Sequence, residues 1–187
     1  NLLSASIQVA MLLRRILDAP PAPIQQGDGV FGTKVFGFTD NLDVINRLYH
    51  NLLDAEGWTL GRDGRPQRRT PNAENATISE PWLAAYRAAN RPDHSIRWPL
   101  GQSWDLCDRI GHRLTGNEPP VRVGRTSSQD AGVDARADIV IATASLEVGY
   151  DDPSVGAVFQ HKAPQSAAAF LQRKGRAGRQ RGDRKSV

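Results

Sequence analysis

The 187-residue chain has one cysteine, Cys107, and one methionine, Met11. A lone cysteine excludes a disulfide framework within the chain, and no Cys/His spacing offers a zinc site, so no metal ligands are expected and the cytosol is the natural setting. Long apolar runs are equally scarce. Leu2 to Leu17 is the one stretch that raises the question of targeting or a membrane span, yet Gln8, Arg14 and Arg15 interrupt it and no basic residue precedes it. It is neither a signal peptide nor a span, and no membrane partner is expected. No internal repeat or low-complexity tract appears. Charge of one sign is also short: the formal net charge is only +4. Seven of the basic residues lie between Arg173 and Val187 against a single acid, Asp183, which leaves the rest of the chain slightly negative. Basicity confined to one end favours a phosphate-facing site over a uniformly basic nucleic-acid coat.

What is present is ordinary for a globular domain with one good core: 39% hydrophobic and 24% charged residues. Leu3, Ile7, Ala10, Met11, Arg14 and Leu17 fall at helical spacing, and Pro20-Pro21-Ala22-Pro23 ends that pattern. Gln25 to Gly32 reads as loop and Thr33 to Phe38 as a buried strand. Thr39-Asp40 is then a helix N-cap, and Leu42, Ile45, Leu48, Tyr49, Leu52 and Leu53 form the apolar face of a helix that stops at Gly57.

From Trp58 to Trp104 the periodicity is lost, in an insertion at about 58–102 that carries the basic run Arg62 to Arg69; the four tryptophans all lie in this stretch. One reading is an element whose aromatics stack on bases while its arginines track phosphate. The other, which is preferred, is an irregular excursion whose tryptophans fill apolar gaps. Pro81 to Arg87 is a candidate short helix. Helical spacing resumes over Ser103 to Leu114, Pro120 to Gly124 is a short strand, and Arg125 to Asp130 is its polar exit. Asp138 to Ala142 and Val155 to Phe159 are further strands, and an Ala-rich helix over Gln165 to Lys174 stops at Gly175. Such alternation argues an α/β fold, a parallel sheet covered by helices, with its chemistry at the strand ends.

The last third carries two motifs. Ala142-Thr143-Ala144-Ser145-Leu146-Glu147-Val148-Gly149-Tyr150-Asp151 resembles motif V of the superfamily-two helicases. Gln172-Arg173-Lys174-Gly175-Arg176-Ala177-Gly178-Arg179 resembles their QRxGRxGR motif VI at every fixed position. Thr33 to Asp40 with the helix after it is similar to motif IV, and Gln172 in place of histidine sets the chain outside the DEAD-box branch. Ser4-Ala5-Ser6 is only a three-residue near-match to the SAT motif III, and a leading helix is the reading kept there. The resemblance implies a helicase C-terminal domain, a RecA-like three-layer lobe with a mostly parallel sheet flanked by helices. Residues 1–23 would be a leading helix and linker and 24–187 the lobe. Further strands usually follow motif VI, so the sheet is expected to be truncated at its C-terminal edge. The first residue, Asn1, and the abrupt basic end suggest a piece of something longer.

By the same resemblance Arg176 and Arg179 act as arginine fingers. Their planar, permanently charged forks suit the equatorial oxygens of a transferring γ-phosphoryl. Gln172, Arg173, Gly149 and Asp151 are expected at the nucleotide, Asp151 accepting from a ribose hydroxyl. Thr143, with Thr126 and Ser127, is expected to meet a DNA or RNA backbone, a contact that positions a strand without reading its sequence. No G-x-x-x-x-G-K-[ST] occurs, no D-E-x-[HD] follows a strand, and Asp54-Ala55-Glu56 lies on a helix and does not qualify. ATP with Mg²⁺ would therefore be held mainly by a first RecA-like lobe carrying Walker A and B, and the chain alone should be inactive. The alternative is a helicase-like binding or scaffolding module without ATP turnover. A dinucleotide-binding α/β domain lacks its G-x-G-x-x-G.

Overall fold

The computed structural model describes residues 2–18, 32–56, 58–68, 121–127, 132–143 and 151–178. Its elements are α1 (Leu2–Asp18), β1 (Lys34–Phe38), α2 (Leu42–Ala55), β2 (Trp58–Leu60), β3 (Pro66–Arg68), β4 (Val123–Thr126), β5 (Ile139–Ala142), β6 (Val155–Gln160) and α3 (Ala167–Lys174). The candidate helices at Pro81 to Arg87 and Ser103 to Leu114, together with Gly57, Gly149 and Arg179, lie outside the described residues.

Strands β4, β5, β1 and β6 form one sheet in that order, and each neighbouring pair is parallel. This is the mostly parallel α/β sheet with flanking helices expected of a RecA-like domain. Among the described residues β6 is an edge. The period of two sorts the strand side chains between the two faces. Val35, Ile139 and Ile141 point into a core with Met11, Ile45, Leu48 and Leu52 from α1 and α2. Phe36, Phe38, Val140 and Ala142 form a second cluster on the other face, against which Ala177 packs. Helix α1 therefore contributes directly to the core, and Arg14 and Arg15 fasten it further through ion pairs to Asp138 at 3.0 Å and Glu56 at 2.7 Å. At Gly37 a side chain would not fit: an added Cβ would lie 2.2 Å from the Phe159 ring on the neighbouring strand. No helix among the described residues is long and apolar enough to cross a membrane.

Several boundaries differ from the sequence reading. The α2 N-cap is Asn41, whose Oδ1 accepts from the Asp43 N–H at 2.8 Å. Thr39-Asp40 does not cap it because Asp40 is engaged elsewhere. Leu42, at the first position of α2, is exposed and not on the buried face. Strand β4 begins at Val123 rather than Pro120, so Arg125 and Thr126 belong to the strand and not to its exit. The start of the stretch read as irregular is a hairpin, β2 against β3 in antiparallel register. Helix α3 starts two residues later than expected because Ser166 caps it, its hydroxyl accepting from the Ala169 N–H.

Candidate functional site

Parallel pairing brings four strand ends to one edge of the sheet, and hydrogen bonds continue the ladder past the strands. The Thr143 N–H donates to Thr126 O at 3.3 Å, Thr39 N–H to Ala142 O at 3.0 Å, and His161 N–H to Phe38 O at 2.8 Å. Thr126, Ser127 and Thr143 are thereby adjacent at the carboxyl ends of β4 and β5. Thr126 is buried at 2% exposure, whereas Ser127 and Thr143 are half-buried.

At the carboxyl ends of β1 and β6 the connections depart to opposite faces, α2 to one and α3 to the other. A crevice at such a switch point is where open α/β sheets gather polar groups. Here it holds Arg173. Its guanidinium pairs with Asp40, donates to Gln160 Oε1 at 2.7 Å and lies 5.6 Å from the centroid of the Phe38 ring. At 3% exposure Arg173 is the buried residue of α3, which leaves Phe170 and Leu171 exposed at 48% and 64%. The helix thus buries a charge and shows apolar side chains. Sequence reasoning missed the Asp40–Arg173 pair because its members are 133 residues apart and each has a local role that suffices: helix cap for one, motif VI for the other.

The remaining motif residues gather at the opposite end of β6. Asp152 accepts from the Ser154 N–H at 2.9 Å and pairs with Lys34 Nζ at 2.9 Å, which fixes the turn that carries exposed Asp151. After α3 the Arg176 N–H donates to Arg173 O at 3.0 Å, and the Gly178 N–H donates to Val155 O at 3.1 Å. Gly178 has φ +69, a left-handed conformation that glycine adopts without a Cβ penalty. The arginine turn of motif VI is therefore tied to the start of β6, next to Asp151 and Asp152. Gln172 is exposed on α3 and Arg176 half-buried. The candidate residues divide between two ends of the sheet, not one: Thr126, Ser127, Thr143 and Arg173 at the carboxyl edge, Asp151 and Arg176 toward the amino end of β6.

A buried histidine also escaped the sequence reading. His161 Nδ1 lies 2.8 Å from the Ser6 hydroxyl of α1, and Lys162 beside it has φ +66, a strained value for a residue with a side chain. Burial, and secondarily the Lys162 charge, hold the His161 pKa below the ordinary 6.5. The folded chain then binds fewer protons at this site than the unfolded chain. Its contribution to stability is complete above that ordinary value and is lost as pH falls below it through the folded-state pKa. Urea unfolding at about pH 7.5 and about pH 5 should show a larger acid loss for the wild type than for His161→Gln. Equal losses would show that His161 titrates as freely folded as unfolded.

A known protein family resembles this part of the chain. The family described as Helicase conserved C-terminal domain matches residues 124–181. That stretch holds all but the first residue of β4, and β5, β6 and α3. It is similar to a helicase C-terminal domain. Over 59 residues the chain is 46% identical to a protein of Mycolicibacterium smegmatis described as "Lhr helicase/ probable uracil glycosylase", a match covering 32% of this chain and 4% of that protein. No solved structure matches the chain.

Proposed function

We propose that the chain is the second motor lobe of an ATP-dependent superfamily-two nucleic-acid helicase or translocase of the QRxGRxGR branch. The observation that carries this reading is that the helicase match spans both motif V and motif VI, motif V starting at the end of β5 and motif VI following β6 and α3, with β5 and β6 in one parallel sheet. Two ends of the sheet then serve two ligands. At the carboxyl edge Thr143, with Thr126 and Ser127, meets a DNA or RNA backbone. Toward the amino end of β6 Arg176 and Asp151 meet a nucleotide, with Arg179 as the second arginine finger and Gly149 allowing close backbone approach; Gln172 on α3 and Arg173 at the carboxyl edge relay contact between lobes. The donor set fits only part of ATP: guanidinium groups for phosphoryl oxygens and an exposed carboxylate for ribose. A first lobe with Walker A and B holds the triphosphate and Mg²⁺, and exposed Phe170, Leu171 and Gln172 give that lobe a face to meet.

Purified by itself, the chain should bind ATP weakly and show no nucleic-acid-stimulated hydrolysis. It should bind oligonucleotides weakly, without sequence preference and less as salt rises, with Thr143→Val weaker still. Robust hydrolysis by the isolated chain would overturn the reading. Equal binding by Thr143→Val would remove Thr143 from the backbone contact.

A further inference from the structure

A cavity of about 230 Å³ opens where the end of α2, the β2–β3 hairpin and the residues leading into β4 and β5 meet. It lies beside Val123, the first residue of β4, whereas Thr126 is the last. At about 3.3 Å per residue that separates it by roughly 10 Å from the hydroxyl-bearing carboxyl edge. The cavity is a separate site.

Its apolar lining is Leu53, Trp58, Pro66 and Val123, and its polar lining is Arg122, Arg136 and Asp134. The half-buried Trp58 indole is held in place by its Nε1–H, which donates to Val121 O at 2.9 Å. The Arg122 backbone is fixed by a 2.9 Å bond from its N–H to Asp138, and its side chain is exposed. Arg136 is 79% exposed and meets Asp134 only at 3.6 Å, a separation at which an exposed pair contributes little. Asp134 Oδ1 is occupied by the Arg136 N–H at 2.9 Å. In the hairpin turn Arg62 and Arg65 are exposed as well, and Asp63 is used in the same way by the Arg65 N–H at 3.1 Å. Two arginines thus line the cavity with Trp58, two more lie on the hairpin turn, and the Asp134 and Asp63 carboxylates each accept from the backbone of their own turn.

An aromatic plane flanked by guanidinium groups is the constellation that takes a base and its phosphate from single-stranded nucleic acid, because every base has a π-face and every nucleotide a charge. Drug-sized ligands use cavities of roughly 300 to 1,000 Å³, so this smaller one suits a single nucleotide. We propose that it holds one unpaired nucleotide of single-stranded nucleic acid, the base against Trp58 and the phosphate between Arg122 and Arg136. The inference rests on the nucleic-acid role proposed above and adds a second contact, at the other end of β4.

The test is anisotropy titration of the 187-residue chain with a fluorescein-labelled oligothymidylate across a salt series. Arg122→Gln with Arg136→Gln should lower affinity and flatten the log–log salt slope by about 0.7, the contribution of the one single-strand phosphate that the two arginines no longer neutralise. Trp58→Ala should lose roughly five- to hundredfold in affinity, and Trp58→Phe should retain most of it because the ring is what stacks. Should Trp58→Ala fail to fold, Trp58→Phe and the exposed arginine pair still report. Unchanged affinity and slope in the arginine variant, while Thr143→Val weakens binding, overturns the cavity and leaves the motor reading intact. An equal loss on a duplex of the same sequence, with Trp58→Ala at wild-type affinity, also overturns it, since only a general electrostatic surface would then remain. No binding by the wild-type chain overturns both.

Discussion

In the proposed motor, Arg176→Ala or Arg179→Ala should lower kcat by about 10³- to 10⁵-fold, roughly 4 to 7 kcal/mol of transition-state stabilisation, while nucleotide affinity changes little. The asymmetry follows from what a guanidinium does for a transferring phosphoryl. Charge builds on the equatorial oxygens only as the bond to the leaving group breaks, so a donor aimed there acts mainly on the transition state. Lysine at either position should rescue poorly, since an ammonium has no planar fork. The double variant should cost much less than the product of the singles, because both groups act on one phosphoryl. Protein stability should hold for Arg176→Ala, whose side chain is half-buried in a turn outside both apolar clusters. Steady-state hydrolysis and nucleotide titration on the same preparations separate the two effects. If both single variants fold and keep near wild-type turnover, the motor assignment fails and a helicase-like scaffold takes its place.

The turn after α3 was legible in the sequence, because motif VI is local and Gly178, at φ +69, is needed by the turn itself. The strands were legible for a similar reason: Ile139 to Ala142 is buried throughout, and a short β-branched run with polar flanks has few other places to go. Order within the sheet was not. That β1 lies between β5 and β6 depends on pairings more than a hundred residues apart, and Gly37 facing Phe159 leaves no trace in either segment alone. The division of the candidate residues between two ends of the sheet was hidden too. Motif V runs from the carboxyl end of β5 to the start of β6, so its Thr143 and Asp151 are close in sequence and lie at opposite ends of parallel strands. Long-range charge pairs escaped for the plainest reason: Asp40 and Glu56 look like helix ends and Asp138 like the start of a strand until their arginines arrive from elsewhere.

Glu56 is where that blindness has the largest consequence for stability. It closes α2 and is only 2% exposed, yet it carries a charge. Arg15 of α1 meets it with both terminal nitrogens, at 2.7 and 3.0 Å, and the Val121 N–H leading into β4 donates to it at 3.2 Å. One carboxylate therefore joins three segments. Removing it in Glu56→Ala leaves the Arg15 charge buried without its counter-ion, a change that costs about 3 to 5 kcal/mol, a large fraction of the roughly 5 to 15 kcal/mol that holds a typical domain together. Glu56→Gln keeps the shape and an acceptor and should cost less. The informative variant is Arg15→Met with Glu56→Leu. Desolvating the pair offsets most of its attraction, so replacing both charges by apolar groups should recover much of the single-variant loss, short of what the Val121 N–H forfeits, about 1 to 3 kcal/mol. Urea unfolding of the three variants would measure this, with the coupling read from a double-mutant cycle completed by Glu56→Leu and Arg15→Met singly. A loss under about 1 kcal/mol in Glu56→Ala would mean that water reaches the pair and that α1 is held by its apolar face alone. The expected loss would make the leading helix, which lies outside the helicase match at residues 124–181, a structural part of the lobe.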